Sequence, residues 1–538
     1  MIWTEAVVQR IAGGTPAQAP EAQAAAGVPV GGWRTDAPAA VVVFLVAMPL
    51  CLGIALASGA PLFSGIISGI VGGVVVGALS GSQLMVSGPA AGLTAIVVSA
   101  IGTLGSFRAF LTAVVLAGCV QLLLAALRAG VIGYYFPATV IRGMLAAIGL
   151  ILILKQVPHA LGYDADYEGD EAFVQATGEN TFSAISHALE RIEPAAVLLS
   201  LTALAMLVLW EKTRLKAIKL LPGPLAVVAV GIVGQWLLPL LDSSLQLGPE
   251  HLVGLPVVAS LGDLGALVAW PDWSAITRPE TWRIAVTLGI VASLETLLSL
   301  EATDRMDPFK REAPTDRELA AQGAGNIVAG LIGGLPVTGV IVRSAANVDA
   351  GAQTKRSAIL HGILLLAAVL LIPAVLNLIP LASLAAILIY TGFKLAHPRL
   401  LRHAWTQGRT QWVPFVVTVV AILLSDLLVG IGIGLTVGFA FILLGQLRFP
   451  CFTVVSPQGS VLTRIRLHEH VSFLQKASLM QMLDRLPTGA RIEIDGSACR
   501  HIDHDVLESI SDFRQTSKLR KIDFRTVGIE LPAVSPSH

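Results

Sequence analysis

The sequence predicts a polytopic α-helical membrane protein of fourteen spans with a small α/β domain near its C-terminal end. Three observations predict it. Of 538 residues, 54% are apolar and only 13% are charged, about half the charge of a typical soluble domain. Apolar runs of the ~20 residues needed to cross a bilayer as helix recur from Ala37 to Leu447. After Leu447 charged residues return, and short helical and alternating patterns replace the runs.

The composition excludes a soluble enzyme, a disordered chain and a collagen-like one, because there is too little polar surface to cover a water-soluble particle of this size. Lys+Arg and Asp+Glu are both 36, so no basic character points to nucleic acid. Cys51, Cys119, Cys451 and Cys499 are widely spaced, with no CxxC pair and no disulfide framework.

Residues 1–35 are rich in Ala, Pro, Gly and Gln and read as a flexible tail with a short helix at Trp3–Ile11. No apolar core follows a basic start there, so a cleavable signal is not expected. The spans fall near 37–58, 61–80, 89–104, 107–128, 138–157, 194–211, 222–240, 282–302, 316–333, 338–350, 356–375, 379–395, 411–427 and 429–447. Loop charge orients them. Lys212, Arg214, Lys216 and Lys219 fall on the same side as Arg305, Lys310, Arg311 and Arg317, as Lys355 and Arg356, and as Lys394, Arg399, Arg402 and Arg409. The loop 158–193 falls opposite, with Asp164, Asp166, Glu168, Asp170, Glu171 and Glu179 against Arg191. The positive-inside bias makes the basic side cytoplasmic and places both termini there. Beyond the spans, Ser478–Leu486 and Asp505–Phe513 have helical periodicity and Arg491–Ile494 alternates like a strand, which predicts a small α/β domain.

Two segments carry the functional signal: LSGSQLMVSGPAAGLTAIVVSA at 79–100 and IGGLPVTGVIVRSAANV at 332–348. Each passes from small residues through a short β-favouring stretch to a Pro/Gly break, then continues as a helix too short to span. From Pro89 to Thr103 the helix would rise roughly 22 Å, against a hydrocarbon core of about 30 Å. They occupy matching places, third and tenth, in two seven-span halves. A half-helix starting inside the membrane leaves its first amides without partners and carries about half a positive charge there. Two such ends facing one another make an anion site at the midplane. The bland alternative is a pair of ordinary Pro/Gly kinks. Arg343 lies inside the second segment, as a fixed charge beside an anion or as a structural cation. Glu295 sits mid-span with Ser299 one turn on, on the same face. It is either a coupling-ion site or the partner of Arg343. Glu301, Asp304 and Arg142 read as interfacial.

Together LVAMPLCLGIALASGAP, GSQLMVSGPAAGL, FPATVIRGMLAAIGLILILKQ, SLETLLS and LPVTGVIVRSAANVDAGAQTKRS resemble the sulfate permease (SulP) family of anion transporters, also called solute-carrier family 26, from Trp33 to about Ile529. The resemblance implies a seven-plus-seven inverted repeat with core and gate domains and an elevator-like motion. It also implies a STAS-like C-terminal domain at 450–538 after a transporter domain at 36–449, and a homodimer in the cell membrane. Carried onto this chain, it places the anion between the half-helix starts, with backbone donors around Ala90, Ala91, Ile341 and Val342 and with Arg343 behind. Pro49, Leu50 and Cys51 line the site, and Glu295 and Ser299 match the coupling-cation position of bicarbonate-transporting relatives. No cofactor is implied, and Na⁺ at Glu295 and Ser299 is the one candidate bound ion.

This chain departs from the family pattern at two lining positions. Val342 stands where the family often has Ser, and Leu50 where it often has Gln. Both changes remove donors that a strongly hydrated dianion would need and favour a monoanion such as bicarbonate. Asp503-His504-Asp505 also lacks the hydroxyl that STAS domains often carry there. The leading expectation is therefore a secondary transporter of a small inorganic anion, bicarbonate first, coupled to Na⁺ or H⁺. Sulfate or dicarboxylate exchange, a nucleobase permease and a membrane-anchored STAS sensor are the competing readings. No nucleophile–base pair, metal set or phosphate loop supports an enzyme.

The orientation is testable with single cysteines placed in 158–193 and in 211–219. They are expected to react with an impermeant maleimide from opposite faces of the membrane, and same-face labelling would refute the span count.

Overall fold

The computed structural model describes residues 32–165, 173–174, 178–213, 222–254, 268–448, 451–455 and 462–531. The helix expected at Trp3–Ile11, four carboxylates of the acidic loop (Asp166, Glu168, Asp170, Glu171) and the basic Arg214, Lys216 and Lys219 lie outside these residues. The chain divides into two compact units, the first ending at Leu435.

In the first unit, α1 (Trp33–Ala57) and α2 (Leu62–Leu79) lead to a three-residue strand, β1 (Ser87–Pro89), and the short helix α3 (Ala91–Leu104). Then follow α4 (Phe107–Ala126), α5 (Ala138–Leu161), the short α6 (Thr181–Glu190), α7 (Pro194–Lys212) and α8 (Gly223–Leu241). The second half repeats the plan. α9 (Pro279–Met306) and α10 (Thr315–Leu331) lead to β2 (Val337–Gly339) and the short α11 (Ile341–Asp349). α12 (Arg356–Leu371), α13 (Leu381–Leu395), the amphipathic α14 (Arg399–Thr406), α15 (Arg409–Leu424) and α16 (Leu427–Arg448) complete it.

Each of the fourteen apolar ranges thus carries a helix. Among the described residues nine helices are long and apolar enough to cross a membrane. α3, at 14 residues, falls short of that length, and so does α11 at 9.

The two halves interleave. α1 packs along α2, α11 and α12, and α4 packs along α9 and α10, so helices from the first four positions of each half associate. α5 packs along α13 and α15, and α7 along α8 and α13, bringing together the later positions. Small residues permit the closest approaches. A Cβ at Gly118 of α4 would lie 2.6 Å from the Gly323 carbonyl of α10, a small-residue helix contact of the kind that apolar surroundings favour. Asp36, fully buried in the first turn of α1, accepts from the Gln353 and Thr354 amides at 2.8 and 3.1 Å and from Thr354 Oγ1 at 2.5 Å. That ties the start of α1 to the turn between α11 and α12.

The second unit holds a four-stranded sheet of β3 (Phe452–Val455), β4 (Leu462–Leu467), β6 (Arg491–Asp495) and β8 (Asp523–Val527), with β5 (His470–Val471) and β7 (His501–Ile502) paired separately. β4, β6 and β8 run parallel, and β3 is an antiparallel edge. The parallel strands are joined through α17 (Lys476–Asp484) and α18 (His504–Leu519), as parallel pairing requires. Ile465, Ile492, Ile494, Leu479, Val506 and Ile510 form its core. The helices expected at Ser478–Leu486 and Asp505–Phe513 and the strand expected at Arg491–Ile494 are present as α17, α18 and β6, beside β3, β4, β5, β7 and β8. Asp503 caps α18, its carboxylate accepting from the Asp505 amide at 3.0 Å.

Beyond the end of α5, Asp164 is held between two imidazoles. His159 Nδ1 lies 2.5 Å from Oδ1, and His251 Nδ1 lies 2.6 Å from Oδ2. Val253 continues this anchorage by donating to the Ile379 carbonyl at 3.1 Å. Burial pushes the Asp164 carboxyl up, but the hydrogen bonds and charges of the two imidazoles outweigh it and leave it below its ordinary value. The Asp164 hydrogen bond raises His251, against the opposing effect of burial.

The His251 contribution is therefore complete below its ordinary value of about 6.5 and is lost as pH rises through its raised folded value. The Asp164 contribution is present above about 3.9 and is lost as pH falls through its lowered folded value. Amide exchange of residues 249–254, corrected for intrinsic rate, is expected to be slowest between these limits and to quicken at higher pH. His251→Ala should remove that dependence. Exchange indifferent to pH in the unmutated protein would show that the clamp does not hold this segment.

Candidate anion site

Deep in the first unit the two interrupted segments meet as strands. β1 and β2 pair antiparallel, Ser87 opposite Gly339, Gly88 opposite Thr338 and Pro89 opposite Val337, and all six residues are buried. The pairing satisfies backbone groups that apolar surroundings could not. Val340 N donates to Val86 O at 2.9 Å, and Ala90 N donates to Pro336 O at 3.2 Å. From the ends of this short ladder the two half-helices depart, α3 after Ala90 and α11 after Val340.

The α11 side chains brace the approach to β1. Ser344 Oγ accepts from Val86 N at 3.0 Å and donates to Val340 O at 2.7 Å, while Asn347 Nδ2 donates to Leu84 O at 2.9 Å.

The expected site residues gather around this crossing. Ile341 and Val342 are buried in the first turn of α11, and Ala91 is half-buried in the first turn of α3. Their amides lie where a helix has no internal acceptors and where its dipole is positive. The Ala90 amide, expected as a donor, is engaged by Pro336 O. Pro49, Leu50 and Cys51 are buried in α1, and Val342 is buried in α11.

Among the described residues Arg343 is the largest fully buried side chain, with no exposed surface. Nη2 lies 3.2 Å from Cys51 Sγ, whereas Nε and Nη1 have no hydrogen-bond partner. The guanidinium runs beneath Gly88, where a Cβ would collide with Nη1, and a Cβ at Gly69 would come within 3.8 Å of Nη1. The absent side chain at Gly88 therefore makes its space, while Gly69 stands at ordinary contact distance. A guanidinium removed from water with two nitrogens unsatisfied is costly unless an acceptor completes it.

Glu295 and Ser299 are 7% and 2% exposed. The Glu295 carboxylate faces the start of α3, since a Cβ at Gly92 would lie 3.2 Å from Oε1. Ser299 lies against β2 at Gly339, and the neighbouring Thr296 Oγ1 accepts from Gly339 N at 3.4 Å. Arg343 lies on α11 beneath Gly88, and Glu295 lies on α9 against the start of α3.

Toward the C-terminal ends of α9 and α11, a cavity of about 720 Å³ is lined by Ala345 and Val348 of α11 together with Arg142, Glu301, Asp304 and Lys394, and by none of the expected site residues. Arg142, Glu301 and Asp304, read as interfacial from sequence, thus face a common space. The sequence reading passed over Lys155 of α5, His361 of α12 and Thr338 of β2, all buried. Lone polar residues inside apolar runs were the available signal.

Residues 33–420 match the Sulfate permease family. The chain is 26% identical to YvdB of Bacillus subtilis, which bears a sulfate-transporter name, over 76% of this chain and 73% of that one. It is 25% identical to the bicarbonate transporter BicA of Picosynechococcus over 73% of this chain and 67% of that one. The fold matches the solved structure of SLC26A9 with a TM-score of 0.63 at 15% identity, over 94% of this chain and 87% of that one. A multi-pass helical framework, paired half-helices at its centre and a match over most of the membrane unit converge: the chain belongs to the sulfate permease family of anion transporters, which are transporters and not enzymes.

Proposed function

We propose that this chain carries a small monovalent inorganic anion, bicarbonate in preference to sulfate, by secondary active transport coupled to Na⁺ or H⁺. The observation that carries this reading is Arg343, wholly buried with Nε and Nη1 unpartnered beside two half-helix starts. An anion there would accept from the guanidinium and from the amides of Ala91, Gly92, Ile341 and Val342, recovering the hydrogen bonds it loses on leaving water. Leu50 and Val342 offer no donors, so the second charge and larger hydration shell of sulfate would be poorly replaced. The kinship with a bicarbonate transporter supports the same preference.

Glu295 supplies the coupling in this reading. With the anion balanced by Arg343, a nearby ionised carboxylate adds negative charge that Na⁺ or H⁺ would neutralise. Cation binding then strengthens anion binding, and the converse holds by the same factor. Ser299 would give Na⁺ a hydroxyl oxygen and is not needed for protonation.

We further read the interleaved halves as an inverted repeat of fourteen spans. Its core carries both half-helices, and its gate, formed around α5, α7 and α13, stays still while the core slides. The reading includes a transporter domain at 36–449, a STAS-like domain at 450–538, both termini in the cytoplasm and a homodimer in the cell membrane.

Uptake of labelled bicarbonate and sulfate into proteoliposomes tests it. Arg343→Ala is expected to abolish uptake while expression and melting temperature are kept, and normal transport by that variant would refute the site. Glu295→Gln, which mimics the protonated acid, is expected to keep exchange and lose dependence on the pH gradient if H⁺ is coupled. If Na⁺ is coupled, it should lose Na⁺-stimulated uptake, and Ser299→Ala should raise the Na⁺ requirement. Unchanged ion dependence in both variants would remove Glu295 from the mechanism.

A further inference from the structure

Behind the strand pair, α10 turns a polar stripe toward the centre. Glu318, Gln322 and Asn326 follow at four-residue intervals and so share one face of the helix. All three are buried, at 0, 0 and 1% exposure. Each holds a different part of the crossing. Glu318 Oε2 accepts from Ser80 Oγ at 2.5 Å, anchoring the end of α2 that leads into β1. Gln322 Nε2 donates to Ser87 Oγ of β1 at 2.7 Å and to Glu318 Oε1 at 3.2 Å. Asn326 grips β2 through both backbone groups of Val337, its Oδ1 accepting from Val337 N at 2.6 Å and its Nδ2 donating to Val337 O at 2.9 Å. Its Nδ2 also donates to Gln121 Oε1 of α4 at 2.7 Å.

We infer that Gln322 and Asn326 are positioning residues for the anion site, setting from one helix face where the two strands lie and hence where the two half-helices begin. This rests on the anion-site reading above. The argument is geometric. β1 and β2 are three residues each, and so short a ladder specifies its own register weakly. An external tether on each strand removes that freedom. Gln322 fixes Ser87, three residues before Ala90, and Asn326 fixes Val337, four residues before Ile341. Both tethers spring from one helix one turn apart, so their separation is set by helix geometry and does not depend on the strands themselves. Neither residue donates to the anion.

Loss of a tether should therefore lower anion affinity and leave the rate of the loaded carrier largely unchanged. A residue that merely stabilised the fold would lower the melting temperature and leave the affinity alone.

The test uses the full-length protein in proteoliposomes, with initial uptake rates measured over a range of labelled bicarbonate and, separately, sulfate. Gln322→Met keeps the shape and removes the donor, and Ser87→Ala removes the same bond from the strand side. Each is expected to raise KM about tenfold, the order set by one buried hydrogen bond, with Vmax within about twofold. The double variant should be no worse than Gln322→Met alone, because the bond to Ser87 is lost only once. Asn326→Ala should raise KM as well. An unchanged KM with a lowered melting temperature, or additive effects in the double variant, would overturn the inference. Failure of both Gln322→Met and Ser87→Ala to fold would do the same, since the bond would then serve stability alone. Arg343→Ala, measured alongside, separates the two levels. If it transports normally, the site reading itself has failed. If it is inactive while KM is unmoved in the tether variants, only the positioning role has failed.

Discussion

Everything at the centre of this protein depends on three residues of one half pairing with three residues of the other. A helix cannot start in the middle of an apolar unit without exposing amides and carbonyls that nothing there will satisfy. The β1–β2 ladder resolves this by pairing Ser87–Pro89 with Val337–Gly339, so that each chain enters its half-helix from a satisfied backbone. The first-turn amides of the two helices remain, directed at the space beside the ladder. Positive potential there follows from the geometry before any charged side chain is counted.

Arg343 adds a full charge to that potential, and its surroundings show that the space was kept for it. Gly88 lacks the side chain that would obstruct the guanidinium, and Cys51 provides only a weak sulfur contact. The guanidinium is fully buried, so bulk water does not screen its charge. Glu295 lies instead at the α3 end, against Gly92. The two charged side chains flank the crossing on different elements, α11 and α9.

Much of this was legible in the sequence, because it rests on local signals. The Pro/Gly breaks at 79–100 and 332–348, the β-favouring residues before them and the shortness of the helices after them are all local. So is the contrast between a lone Arg and the apolar run around it. What could not be read is what depends on long-range contact. The engagement of the Ala90 amide by Pro336 needs the register of β1 on β2. The stripe of Glu318, Gln322 and Asn326 is visible in the sequence as a four-residue repeat. Its targets lie on β1, β2 and α4, more than 200 residues away for Ser87 and Gln121, and nothing local names them. The clamp of Asp164 by His251 is hidden for the same reason, since 87 residues separate the partners. In the C-terminal unit the pairing of β4 and β8 with β6 joins segments about 30 residues apart, which nothing local specifies.

The central claim is that an anion binds where Arg343 meets the starts of α3 and α11. The most direct measurement is a pair of high-resolution cryo-electron microscopy maps of the full-length protein, one in bicarbonate and one with only gluconate as the anion. The account predicts difference density within hydrogen-bonding distance of Arg343 Nε or Nη1 and of the first amides of α3 and α11. Difference density confined to other places, with the guanidinium unliganded under saturating bicarbonate, would contradict it.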